Sequence, residues 1–407
     1  MHPAITRRSL LNGALGAAAF AALPLFRASP SLAQALKITL GVGLVNDGAP
    51  LVFQMQRARL LEAAAQELGL GAIETEYLNF PVLLRMLQGI AAGQLQFGML
   101  GSTPTIRNLA QQQPAVPIAI AGGGLNFPLQ VPPGSPIKNL DDLRGKTVLT
   151  IAASALQLTL AHMLKAHFGS DDFRALNITI RNVNAVTELG RPQPGVDAIV
   201  SLNPLADGAE RAGDLVTILN NNGTTGAGYD GPEGRGAGHT IRSFRNAPFA
   251  PEAYYPHRIW WVVREDFLAQ NPKAVEALLV ANARAIEQLA AMNTDQVIDI
   301  ASAQWMSTRE AQRPYVEGIL WRRRGWSWIT EGDARTLIGL SQTRSIFQQA
   351  ITADTVRRVM ALGGPVSRAA WERVGMKPPA ATFTDPAARD VRGRPVWEID
   401  QWQLPAS

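Results

Sequence analysis

The chain has 407 residues, 46% hydrophobic and 17% charged, which is too long for one core and too apolar for a disordered chain. The formal net charge is +5, and removing the three arginines of the leader described next leaves +2, too little to argue for nucleic acid or an anionic membrane as partner. There are no cysteines, which excludes disulfides, thiolate metal sites, cysteine nucleophiles and a lipid-modified cysteine anchor.

Residues 1–33 carry a basic pair (Arg7, Arg8), an apolar run from Gly13 to Phe26, and small residues at Ser31 and Ala33. That order makes an export signal. The arginine pair resembles a twin-arginine signal, with Leu10 where Phe is usual and Asn12 where Lys is usual. An ordinary secretory signal stays open. A retained anchor is disfavoured by Pro24, two glycines and a run shorter than the ~20 residues a membrane requires. The mature protein is expected to be periplasmic and soluble.

From Leu36 to Leu44 the alternation predicts a strand, broken by Asn46, Asp47 and Gly48. A helix follows with Ala58, Leu61, Ala64, Ala65 and Leu68 on one face, ended by Gly69 and Gly71. Ile73 to Leu78 is a second strand, and Pro81 opens a helix that stops at Gly93. Phe97 to Leu100 is a buried strand, Gly101 allows a tight turn, and Ser102 or Thr103 caps a helix that Pro104 begins. Backbone N–H groups gathered at such a start favour negative charge. A strand from Val116 to Ala121 completes the unit. Strands and helices alternate without hairpin signals, so a parallel or mixed sheet with helices on both faces is predicted. Ligands of such sheets lie beyond the carboxyl ends of strands, where Asn46, Asp47, Ser102, Thr103 and Thr105 fall.

After Gly122, Gly123 and Gly124 the pattern restarts. Thr147 to Ile151 is a strand, and Ser154 caps a helix carrying Leu156, Leu160, Met163, Leu164 and His167, ended by Gly169. Asn177 to Val183 is a strand that leads to Asn184 and Glu188. Ala198 to Leu202 is another, meeting Asn203 and Pro204 as a third cap. Capped helix starts occur in every α/β domain; three with small residues at the turn point to a cleft lined by helix N-termini.

Three stretches carry a resemblance. Gly134 to Val148 (GSPIKNLDDLRGKTV) looks like the opening of the second lobe of type II periplasmic solute-binding proteins, in the branch with nitrate, taurine and aliphatic-sulfonate binders. Gly89 to Gly101, ending AAGQLQFGMLG, resembles the same branch. So does Ile259 to Leu268 with Asn271 to Val275, where that family's chain re-enters its first lobe. The resemblance covers about Lys37 to Ala291. It implies a two-lobed α/β fold of mixed sheets flanked by helices, with a ligand cleft between the lobes. The lobes map to 36–122 plus 255–375 and to 123–254, with 376–407 an extended tail. It also implies a monomeric receptor that hands a small-molecule solute to an ABC permease with its ATPase, without a cofactor. Many relatives carry an aromatic and an acidic residue before the proline of the late second-lobe helix; this chain has Leu202 and neutral Asn203, so the resemblance does not carry an amine-bearing ligand over to it.

The expected ligand-binding set is Asn46, Asp47, Ser102, Thr103, Thr105, Ser154, Ala155, Asn184, Glu188, Asn203 and Trp260. Such donors suit a sulfonate or another oxyanion without a buried cation. Glu188 reads equally as a cleft residue or an exposed loop carboxylate. Trp260 and Trp261 point to opposite sides of their strand, one into the core and the other free to cover a ligand. Gly226 to Gly231 matches a dinucleotide fingerprint, but seven of the eighteen residues in 221–238 are glycine and no helix pattern follows, so a mobile loop near the cleft is expected. The five histidines show no metal-site spacing, and His162 and His167 read as helix-face residues. Trp321 to Trp326 reads as a helix end with solvated arginines or as a permease-docking surface. Two alternatives stand beside the transport receptor. One is an enzyme on the same fold, desulfinase-like or acting on a pyrimidine precursor; the other is a receptor that signals to a membrane kinase.

Overall fold

The computed structural model describes residues 35–43, 48–80, 83–123, 126–183, 185–221, 223–241, 257–301, 308–318, 327, 329 and 331–376. The leader, the C-terminal tail from 377 and the Trp321–Trp326 stretch lie outside the described residues, as do Asn46, Asp47 and Asn184. The described residues from Leu36 onward form one compact unit. No described helix is long and apolar enough to cross a membrane.

In chain order the first elements are β1 (Leu36–Gly43), α1 (Ala49–Arg57), α2 (Leu60–Glu67), β2 (Ile73–Phe80), α3 (Leu83–Ala91), β3 (Phe97–Gly101), α4 (Ser102–Ala110) and β4 (Ala115–Gly123). Then come β5 (Leu129–Val131), β6 (Thr147–Thr150), α5 (Ala155–Phe168), β7 (Thr179–Asn182), β8 (Ala198–Val200), α6 (Leu205–Ala212) and β9 (Val216–Leu219). A hairpin of β10 (Asp230–Gly231) and β11 (Gly234–Arg235) precedes β12 (Arg258–Arg264). Helices α7 (Glu265–Gln270), α8 (Pro272–Ala291), α9 (Thr294–Ala301), α10 (Arg309–Gly318), α11 (Glu331–Ser341) and α12 (Ala353–Arg373) follow.

The strands form two mixed sheets of the same design. The first runs β2-β1-β3-β12-β4, the second β7-β6-β8-β5-β9. In the first, β1 is parallel to β2 and β3, and β12 is antiparallel to β3 and β4. In the second, β6 is parallel to β7 and β8, and β5 is antiparallel to β8 and β9. The antiparallel member of each sheet is the strand that carries the chain in from the other: β5 follows β4, and β12 comes after the second sheet is complete.

From Ile38 on, every residue of β1 is buried, as are all of β3 and β4. Strands buried on both faces read as continuous apolar runs and require helices on either side. Helix α12 covers β4, where the Ser367 hydroxyl donates to the Ile118 carbonyl at 2.6 Å. Helix α3 seats on a pair of glycines that face each other across β1 and β3, Gly41 and Gly98. A Cβ at Gly41 would stand 2.6 Å from Met86 Cγ, and one at Gly98 would stand 2.7 Å from Ile90 Cδ1. The absence of those two side chains is what lets the helix approach.

Two expectations change here. The helix predicted through Ala58 to Leu68 is two helices, because Arg59 takes a left-handed conformation (φ 50°) and exposes Ala58. The glycine-rich stretch is not a loose loop. Gly226 N–H donates to the Ile218 carbonyl and Gly228 N–H to the Thr217 carbonyl, so the segment docks along β9. A Cβ at Gly226 would lie 2.3 Å from the Thr217 carbonyl oxygen, so glycine is what permits the approach. Asp230 N–H donates to the Lys138 carbonyl, and Asn139 Nδ2 to the Asp230 carbonyl, closing the β10–β11 hairpin onto the start of the second sheet's chain.

Candidate functional site

The carboxyl ends of β3, β6 and β8 each open directly into a helix or a turn that leads to one. At β3 the helix begins earlier than the sequence suggests. Gly101 is the extended N-cap (φ −66°, ψ 167°), Ser102 is already helical, and no side chain caps the turn. Pro104 therefore sits inside the first turn, where its missing N–H breaks no intrahelical bond. The hydroxyls expected to cap are used elsewhere. Ser102 Oγ donates to the Arg258 carbonyl and receives Trp260 Nε1, both at 3.4 Å, and Thr105 Oγ1 donates to the Gly101 carbonyl at 2.9 Å. Thr103 is fully buried, and its Oγ1 has no hydrogen-bond partner.

At β6 the cap is as expected. Ser154 Oγ accepts from Leu156 N–H at 3.1 Å and donates to the Ile151 carbonyl at 2.7 Å, and Ala155 opens α5. At β8 the expected asparagine cap is corrected. Pro204 holds the cap position, and Asn203 Nδ2 donates to Asp207 Oδ2 at 2.6 Å instead. Asn203 Oδ1 is buried without a partner. Burial lifts the Asp207 carboxyl to about 6, opposed by the Asn203 hydrogen bond. Glu188 Oε1 accepts from Ala185 N–H at 3.2 Å, so this carboxylate serves its own turn.

Two tryptophans were expected to divide between core and ligand. Both have no exposed surface. β12 is an inner strand, so its alternation sends one ring to each covered face. Trp261 Nε1 donates to Asn282 Oδ1 at 2.9 Å, and Trp260 Nε1 ends on Ser102. Trp260 is thus a buried support beneath the start of α4, its indole N–H taken up by Ser102.

Sequence reasoning missed several polar residues at these same strand ends. Thr150 closes β6 and Ser201 follows β8; both are fully buried, and neither hydroxyl has a partner. The strand-end rule that selected Ser102 would have found them. Arg258 opens β12 opposite Gly123 and is nearly buried, with Nε 2.8 Å from Asp333 Oδ1 and Nη1 donating to the His257 carbonyl. A buried ion pair of this kind fixes geometry more than it adds stability. Its partner lies 75 residues on, beyond any local pattern.

Burying a donor or acceptor without a partner costs about 1–3 kcal/mol. The unpartnered Thr103, Thr150, Ser201 and Asn203 atoms come from both sheets and are suited to hydrogen-bonding a polar ligand. Among the described residues no cluster of three or more histidine or acidic side chains is placed to hold a metal. His162 Nε2 lies 2.9 Å from Thr343 Oγ1, a hydroxyl–histidine pair buried between α5 and the segment after α11. Burial lowers His162 to about 4, and His257, stacked edge-on against Phe127, to about 3. His167 pairs with Asp141 at 3.0 Å on the helix surface.

No curated protein matches this sequence. Among solved structures, the chain is similar to the putative sulfonate ABC transporter periplasmic sulfonate-binding protein SsuA of Methylobacillus flagellatus KT, at 18% identity over 88% of this chain and 99% of that one, with a TM-score of 0.60. The periplasmic nitrate-binding protein NrtA of Synechocystis PCC 6803 is similar at 14% identity over 84% and 89%, TM-score 0.60. The desulfurization enzyme DSZB is similar at 14% identity over 83% and 99%, TM-score 0.50. These likenesses establish the periplasmic-binding-protein type of fold. The model of the family described as NMT1/THI5 like matches residues 83–294, just over half of the chain, from α3 through α8, and the chain therefore belongs to the NMT1/THI5-like family.

Proposed function

We propose that this protein is an exported solute-binding receptor that delivers a small anion, of the sulfonate or nitrate kind, to an ABC permease and its ATPase. The observation that carries this reading is the set of buried, unpartnered polar atoms at the strand ends of both sheets: Thr103 Oγ1, Thr150 Oγ1, Ser201 Oγ and Asn203 Oδ1. The helix starts beside them support it, because Ser102 and Thr103 N–H have no carbonyl within their own helix to bond and favour negative charge. The proteins named above for sulfonate and nitrate binding support it as well.

In this reading the sheets are the cores of two lobes, 36–122 plus 255–375 and 123–254. Ser154 and Ala155 at the start of α5 add a hydroxyl and a backbone donor on the side of the second sheet. The solute favours the closed arrangement only by its differential affinity for it. The receptor acts as a monomer in the periplasm. Thermal unfolding against a panel of alkanesulfonates, taurine, nitrate and unrelated neutral solutes tests it. A specific anion should stabilise the fold by RT ln(1 + [L]/Kd), about 2.7 kcal/mol at one hundred times Kd, and so raise the midpoint. No response to any of the anions overturns the anion reading.

The likeness to DSZB favours a second reading, an enzyme on this fold. With no cysteine in the chain, such an activity would need another nucleophile. Release of sulfite from a bound sulfinate would decide for it.

A further inference from the structure

A cavity of about 350 Å³ lies along the second half of α4, walled by Arg107, Ala110 and Gln111 on one side and by residues 346–349 on the other. The residues around Ser102, Ser154 and Asn203 take no part in it. Ile346 and Phe347 give it an apolar wall, Phe347 being buried, and three exposed glutamines, Gln111, Gln348 and Gln349, stand at its mouth.

Arg107 is the one charged residue of this wall, and its charge is not met. Its Nη2 donates to the Ile346 carbonyl at 3.4 Å, a long bond, while its Nε is buried with no partner. Among the described residues it makes no ion pair. An arginine stays charged in a protein, and a half-buried guanidinium with an empty donor is costly unless an anion answers it. Its place in the last turn of α4 lets the helix dipole relieve only part of that cost. The opposite wall is held in position from beyond: Ser345 N–H and Oγ both donate to Asp171 Oδ2, at 3.3 and 3.1 Å.

We propose that this cavity is a second anion site, separate from the strand-end site, in which Arg107 holds a small oxyanion (a sulfate or the carboxylate of a short acid) through its guanidinium. Planar, bidentate recognition of such groups is what an arginine fork offers and a lysine does not. The apolar wall of Ile346 and Phe347 suits the short hydrocarbon of a carboxylic acid, and the glutamine amides supply uncharged polar contacts at the entrance.

The test is a titration of the full protein with sodium sulfate and, separately, sodium malonate, against sodium chloride at equal ionic strength. The readouts are the Arg107 Nε–H resonance and the unfolding temperature. The resonance should move saturably with sulfate or malonate and stay still with chloride. Arg107→Gln should weaken the anion-dependent rise in unfolding temperature about ten-fold or more, and Arg107→Lys should restore little of it. Thr103→Val, which alters the strand-end site, should leave the saturable shift of the Arg107 Nε–H resonance intact. An Nε–H resonance that does not move through either titration overturns the proposal, as does an Arg107→Gln response equal to wild type. If Arg107→Gln does not fold, the wild-type resonance decides alone. A response lost in Thr103→Val and kept in Arg107→Gln assigns the anion to the strand-end site and likewise overturns this second site.

Discussion

Thr103 and Arg107 stand one turn apart on the same face of α4, and each buries a polar atom that has no hydrogen-bond partner. Their neighbours on the helix are satisfied: Ser102 bridges Arg258 and Trp260, Thr105 bonds back to Gly101, and Asn108 Nδ2 donates to the Ala115 carbonyl. One helix therefore carries two vacancies of opposite character, a hydroxyl beside the N-terminal donors and a guanidinium nearer the C-terminus.

Replacing Thr103 with Val removes the unpartnered oxygen at nearly constant volume. Unfolding in denaturant should show the unliganded protein unchanged or stabilised, by up to about 1–2 kcal/mol, because a buried unsatisfied group is replaced by a methyl. Affinity for the strand-end anion should fall roughly ten-fold. Stability gained with binding lost is the pattern of a residue kept for its ligand. Lower stability with unchanged affinity would mean that Thr103 serves packing alone.

The buried histidines predict acid sensitivity. His162 and His257 have folded values of about 4 and 3, below the ordinary 6.5, because burial disfavours their charged forms. The unfolded chain then binds protons that the folded chain refuses. The stability they contribute is present above pH 6.5 and is lost as the pH falls from there toward 4 and 3. Denaturation midpoints between pH 7 and 4 should fall, and His162→Gln, which keeps a partner for Thr343, should flatten that slope.

Asp207 works in the opposite sense. Its folded value of about 6 lies above the ordinary 3.8, chiefly from burial. The stability tied to its protonated form is complete below about pH 4 and is lost as the pH rises through 6, by roughly 2–3 kcal/mol at most. Asp207→Asn should abolish this loss, seen as a higher midpoint at pH 7.5 with little change at pH 4.

Gly226→Ala should destabilise by about 1–3 kcal/mol, because its Cβ meets the backbone oxygen of Thr217, which has no rotamer in which to retreat. Hydrogen exchange should quicken at Gly226 and Gly228, whose N–H groups bond to β9. Equal stability would show that the segment is not docked in solution.

Much of the fold was legible because its signals are local. Phe97 to Gly101 is apolar throughout and reads as a buried strand, and Ser154 and Gly169 bracket α5 as cap and stop. The two-sheet architecture followed from the alternation of such segments and from the family resemblance. The details at the site were not legible, because they rest on distant contacts. Ser102 looked like a cap, yet its oxygen is taken by β12, 156 residues further along. Trp260 looked available, but nothing in its own stretch announces that β12 runs between β3 and β4. Nothing in the sequence around Arg107 announces residues 346–349, which form the facing wall of its cavity.

The most direct measurement is calorimetric titration of the strongest anion from the panel into wild-type protein and into Thr103→Val. A one-to-one isotherm in wild type, weakened about ten-fold in Thr103→Val, is the predicted result. Equal isotherms in the two proteins, or no saturable heat in wild type, would contradict an anion held at the start of α4.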